Sequence, residues 1–301
     1  MKTSSTRSNS RADQAVHKFT QRSLEQHTLR WWAILSFIAL MNIAFWVYSY
    51  VTLRISQREQ ASSRVHPHQY YHLMLSGIYV FVCAYRSFLP RIDLERYCLF
   101  DTVLSSIFLG RAAATIAEIA FSCQIALFLH HLAEVNGHPI VQTTSIGLVP
   151  LITTAQCFCW CGVISLNHLY HAIEESIWAV CAIFVSVVMG SFAYYHPENA
   201  SLVRVGVIGC VISLAFFAFM AIVDVPMYIK RWKENKSKAS EKGKAIDHMS
   251  SFEGAVDAWQ RRNVTKSWEV WQEETIWLTG YFSSAVWLSL FLVHMPHLCN
   301  M

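Results

Sequence analysis

The chain has 301 residues, a net charge of only +4, and 54% hydrophobic residues against 15% charged. Soluble domains carry about 25% charged residues, so this balance argues against an ordinary water-soluble fold and, with a mean hydropathy of +0.31, points to lipid as the solvent. The nine cysteines do not read as a disulfide scaffold, because most lie in or beside apolar segments, where free thiols behave as small hydrophobes.

Residues 1–30 form a polar, basic tail carrying Lys2, Arg7, Arg11, Lys18, Arg22 and Arg30. It holds no short apolar core with a small-residue cleavage site, so the first apolar block is expected to act as a signal anchor. Apolar runs then recur at about 20 residues, the length that crosses a hydrocarbon core. They predict helices over 31–53, 70–89, 100–129, 145–166, 177–195, 205–229 and 276–294. The third is longer than a crossing needs and should tilt or project. No Gly or Pro marks the break between the fourth and fifth. That break is kept because a merged span would carry the basic connection at 230–274 to the opposite side.

Lys and Arg crowd the tail and the 230–274 connection and are nearly absent from 135–143 and 196–204. The positive-inside bias then predicts an all-α, polytopic integral membrane helix bundle of about seven transmembrane helices, with the N-terminus cytosolic and the C-terminus outside. Its organisation would be a tail (1–30), a six-helix region (31–229), a cytosolic basic loop (230–274) and a seventh helix with a short tail (275–301). Within the loop, Phe252, Val256, Trp259, Val264, Trp268 and Trp271 recur at near-helical spacing with Arg261, Arg262 and Lys266 between them. That pattern predicts an interfacial amphipathic helix over 252–271 on anionic lipids of the cytosolic leaflet. Nucleic acid is not an expected partner so close to a bilayer, and no signature specifies an oligomeric state or an organelle.

Two pentads, EESIW (174–178) and EETIW (273–277), precede apolar runs. They read as helix starts, with carboxylates on the positive end of the helix dipole and Trp178 and Trp277 at headgroup depth. Glu25 and Glu95 would serve the first and third spans in the same way.

Ionisable residues inside spans are costly and mark candidate sites. Arg111 and Glu118 lie seven residues apart on one helix face, too far along the axis to establish direct pairing, so partners from other helices or water are implied. A polar clamp between helices is the equal alternative. Cys157, Cys161, His168, His171 and Glu175 fall in a narrow stripe if the helix is continuous, while Cys159 faces away and reads as packing. His168, His171 and Glu175 sit at i, i+3 and i+7, a spacing that would let them share a divalent metal (iron, zinc or manganese) or a proton network. Interfacial histidines without chemistry are the plain alternative. Arg86, Asp101, Asp224 and Glu274 end or start spans at similar depth, which predicts a polar basin open to the cytosol and floored by Arg111 and Glu118.

Walker A, G-x-G-x-x-G, G-x-S-x-G and H-E-x-x-H patterns are all missing from the sequence. The leading reading is a membrane-embedded enzyme on a lipid or prenyl-like substrate, with Arg111, Glu118, His168, His171 and Glu175 as catalytic groups. A proton-coupled or anion transporter, and a scaffold recruiting partners through 252–271, are the alternatives.

Overall fold

A computed structural model describes the backbone of residues 5–59, 67–241 and 250–299, and the side chains of 23–55, 68–238 and 250–295. The chain is 86% helical. Among the described residues, six helical segments are long and apolar enough to cross a membrane: Ser23–Ile55, Ile107–Val135, Pro139–Ser165, His168–Tyr195, Ala200–Lys238 and Trp268–Met295. The basic side chains of 1–22 and 239–249, which carry part of the expected orientation, lie outside the described residues.

In chain order, α1 (Ser5–Glu59) and α2 (Pro67–Phe88) pack side by side. A hairpin of β1 (Arg91–Ile92) and β2 (Tyr97–Cys98) leads into α3 (Ile107–Val135). The next crossing is made by α4 (Pro139–Ser145) and α5 (Leu148–Ser165), and α6 (His168–Tyr195) returns. Then α7 (Ala200–Phe219) runs through a π-helical turn (Met220–Asp224) into α8 (Val225–Glu241). The chain finishes with α9 (Ser251–Gln260), β3 (Asn263–Val264), α10 (Trp268–Gly280), a second π-helical turn (Tyr281–Ala285) and α11 (Val286–Cys299). We call the end holding the hairpin the near end, and the end holding the α3–α4 turn the far end.

The apolar core meets on α3. Leu129 and Leu132 pack with Ile152, Phe192 and Leu292, while Ala117 and Phe121 pack with Leu35, Tyr79, Trp271 and Phe282. Large apolar side chains such as Phe37, Val187 and Ile222 point outward, an arrangement that lipid tolerates and water does not. The predicted 70–89 element exists as α2, but His68, Gln69, His72 and Ser76 dilute its apolar run. It is therefore not among the six.

Four expectations need correction. First, the third span starts at Ile107 rather than 100, because the preceding residues are held in the hairpin and a 3-10 turn, Val103–Ser105. Secondly, the fourth and fifth spans part at 166–167. Leu166 adopts a left-handed conformation (φ 54°, ψ 33°), with its N–H bonded to the Gly162 carbonyl. Such a leucine costs about 1–2 kcal/mol, offset by about 1 kcal/mol from the Asn167 cap, whose Oδ1 accepts from the Leu169 N–H at 3.0 Å. Residues 168–175 thus open the fifth span rather than ending the fourth. Thirdly, the pentads lie inside α6 and α10, and α1, α3 and α6 have no acidic residue in their first turns. The dipole field fades within one turn, so that role lapses. The pentad tryptophans brace one helix end, Trp178 edge-on to Phe216 and Trp277 stacked on Phe219 at 5.2 Å.

Fourthly, the stretch 252–271 is not one helix. It breaks at Arg261, and β3 adds in parallel to β2. Gly254 and Ala258 form the buried face of α9, and a Cβ at Gly254 would collide with the Ile164 carbonyl oxygen. Arg96 fastens this unit. Its fully buried guanidinium donates to Asp257 Oδ2 at 2.9 Å, to the Val163 carbonyl at 2.8 Å and to the Asp93 carbonyl at 2.8 Å.

Candidate functional site

The near half of the bundle encloses a polar cluster between α3, α5, α6 and α8. Arg111, in the second turn of α3, reaches along the helix and donates from Nη2 to Glu118 Oε1 at 2.7 Å and to Gln156 Oε1 of α5 at 2.9 Å. The Gln156 amide donates back to Glu118 Oε2. Thr115 donates to Gln156 Oε1 at 3.2 Å and accepts from the Trp160 indole at 3.0 Å. Arg111 and Glu118 therefore pair directly across two turns, because the long guanidinium stem bridges a separation that their backbone positions do not close.

Beside this pair lies His171. Its Nδ1 is 2.9 Å from Glu174 Oε2 and 3.9 Å from Cys159 Sγ, and all three residues are buried. Tyr228 of α8 stacks on the imidazole with centroids 5.2 Å apart. On the other side the ring lies against Gly162, where a Cβ would sit 2.8 Å from His171 Cδ2 and 2.9 Å from Nε2. Only glycine permits that approach. His171 Nε2 is buried and has no hydrogen-bond partner.

The anticipated trio of His168, His171 and Glu175 does not converge. His168 turns toward Glu95 at 3.8 Å and Asn235 at 3.3 Å. In this cluster, among the described residues, the ligand atoms that lie within 4.8 Å of one another belong to Cys159, His171 and Glu174. The reversal at Leu166 is the cause: it folds α6 back on α5, so the inward face of α5 carries Cys159, while Cys157 and Cys161 are exposed. Glu175 is half-buried and has Glu174, Asp224 and Glu118 among its electrostatic neighbours.

Asp224 is buried in the first π-helical turn, within electrostatic reach of Glu174, His171 and Arg231. Pro226 lacks an N–H, and the wide turn absorbs this defect without ending the helix. On the near side of the cluster, Arg231 lies 3.8 Å from Glu95 and 3.3 Å from Glu273, with Glu274 within electrostatic reach. Burial alone would raise the Glu95 carboxyl, but the His168 ring 3.8 Å away and the Arg231 charge hold it below its ordinary value of 4.5. Arg86 pairs loosely with Asp93 at 4.0 Å. Asp101 is outside the cluster, exposed and paired with Arg262 at 3.1 Å.

Sequence reasoning passed over Cys159, Glu174, Gln156, Tyr228 and Arg231. Asn167 was the available signal: as a capping residue it marks the start of α6 and so separates Cys157 and Cys161 from the helix of His168 and His171. Compared with protein-family models, with curated proteins and with solved structures, the chain matches none.

Proposed function

We propose that the chain is a multi-pass membrane enzyme in which His171 is the reactive base, acting on a lipid or prenyl-like substrate. One observation carries this reading: a buried carboxylate–histidine pair with an unused ring nitrogen. Glu174 accepts from His171 Nδ1–H, which fixes the tautomer and leaves the lone pair on Nε2, the logic by which a carboxylate orients a catalytic imidazole. Tyr228 and Gly162 restrict the ring, so the base is held in place before any substrate arrives. Arg111, paired with Glu118 and Gln156, would supply positive potential for charge developing nearby, and Arg231 would attract an anionic headgroup on the near side of the cluster. We take α2 as a seventh crossing, with the N-terminus and the near end cytosolic.

A metal-bound form of the same site uses Nδ1 differently. Cys159, His171 and Glu174 offer thiolate, imidazole and carboxylate, a donor set suited to zinc more than to manganese. His171 Nδ1 cannot both donate to Glu174 and ligate an ion, so the two forms exclude each other.

A transporter is the second reading. The buried residues His72, Ser76 and Tyr79 share one face of α2, as a proton relay across the bundle would require.

The test is incubation of the purified chain in liposomes containing phosphatidylcholine, phosphatidic acid and polyprenyl phosphate, read by mass spectrometry, beside a proton-flux assay and metal analysis. Conversion of one lipid class, reduced about 100-fold or more in His171→Gln and Glu174→Gln, supports the enzyme. Stoichiometric metal lost in His171→Gln assigns the metal-bound form. Proton flux without lipid conversion overturns the enzyme in favour of the transporter.

A further inference from the structure

At the far end, α2 begins and α3 finishes side by side, and they bring together residues that the near-end cluster does not use. His68 and His72 lie four apart on α2, and His131 and Glu134 three apart on α3. Both spacings place the side chains on one helix face. The rings of His68 and His131 stack with centroids 4.6 Å apart and a tilt of 29°. One ligand atom each from His68, His131 and Glu134 lies within 4.8 Å of the others.

We propose that His68, His131 and Glu134 form a second metal site, taking a divalent transition ion of the zinc class. Two imidazoles and a carboxylate are borderline nitrogen and oxygen donors, suited to zinc, cobalt or nickel and unsuited to calcium or magnesium, which require mostly oxygen ligands. An independent observation supports a ligand here. His72 lies one turn below, is 1% exposed, and its Nδ1 has no hydrogen-bond partner. Its electrostatic neighbours are His68 and His131. Glu134 Oε2 is 3.9 Å from His131 Nδ1, beyond hydrogen-bond distance, so the half-exposed carboxylate can swing onto the ion. The site is independent of His171 and of the proposed enzymatic role.

The test uses the full-length chain without a polyhistidine tag, stripped with a chelator in detergent and titrated with Co²⁺ and then Zn²⁺. The expected result is a stoichiometric cobalt site with ligand-field absorption and no thiolate charge-transfer band. It persists in a Cys159→Ser/His171→Ala variant, is lost in His68→Ala/His131→Ala, and is weakened about 10-fold or more in Glu134→Gln. Glu134 is exposed enough for that last variant to keep its fold where the double variant does not. Unchanged cobalt affinity in Glu134→Gln together with its loss in His171→Ala, or a spectrum dominated by thiolate, overturns the proposal.

Discussion

Removing the Arg111–Glu118 pair one side at a time should cost more than removing both. The side chains are 7% and 11% exposed and 2.7 Å apart. At an effective dielectric constant of about 20, their direct attraction is about 6 kcal/mol, most of it offset by the cost of taking two ions from water. Arg111→Met leaves the Glu118 carboxylate buried with only the Gln156 amide. Glu118→Met leaves a guanidinium with the Gln156 oxygen alone. Each single variant should lose about 3–5 kcal/mol of stability. The double variant should lose less than either single one, because no uncompensated charge remains and methionine fills much of the volume. The assay is reversible unfolding in mixed micelles, with the four proteins compared in one detergent. Additive losses would refute the argument, for they would mean that each charge is held by other groups and that the pair is not a unit.

Glu95 gives a pH dependence with a defined sign. Its folded carboxyl sits below the ordinary 4.5, so it stabilises the fold fully above that value, and the contribution disappears as pH falls through the lower folded value. Thermal midpoints should therefore drop below about pH 4.5 in the wild type, and Glu95→Gln should flatten that limb while leaving neutral pH less stable. Gly162→Ala probes the histidine slot without touching an ionisable group. A Cβ 2.8 Å from the His171 ring should cost about 1–3 kcal/mol through overpacking, despite the better helix propensity of alanine. It should also displace the histidine ring signals in NMR spectra. Unchanged histidine shifts would show that the slot has room to spare.

The helical membrane architecture was legible because twenty-residue apolar blocks have few alternative explanations. The site was only half legible. Arg111 and Glu118 announced themselves as charges within an apolar run, and the structure joins them. The stripe from Cys157 to Glu175 assumed a continuous helix, and one left-handed leucine invalidated it by turning α6 back on α5. No residue type advertises that conformation for leucine, since its cost is met by packing and capping elsewhere. The β2–β3 pairing was invisible for a different reason. Two-residue strands carry no periodicity, and the contact joins residues far apart in sequence. Asn42 was also missed, although a buried asparagine in a span demands partners. It donates to the Phe282 carbonyl at 2.9 Å and accepts from Trp287 at 3.0 Å, satisfying groups at the second π-helical turn.

The two ends of the bundle handle buried polarity differently, and that contrast is why the enzyme stands ahead of the relay. At the near end the charges pair: Arg111 faces Glu118, and His171 faces Glu174. At the far end the imidazoles of His68 and His131 stack beside the Glu134 carboxylate, with His72 one turn below on α2. Between the ends, Gln124 is satisfied locally, donating to the Ser289 carbonyl at 2.7 Å and accepting from the Ser289 hydroxyl at 2.7 Å. Ser76 is fully buried, and its hydroxyl has no partner. A proton relay needs each donor within about 3 Å of the next acceptor, so the face of α2 that joins the two ends is interrupted at Ser76 unless a water molecule bridges it. Without that bridge the polar groups form two separate sites. Under the proposed reading, chemistry at His171 is then completed locally, with protons exchanged on the side of Glu95, His168 and Arg231.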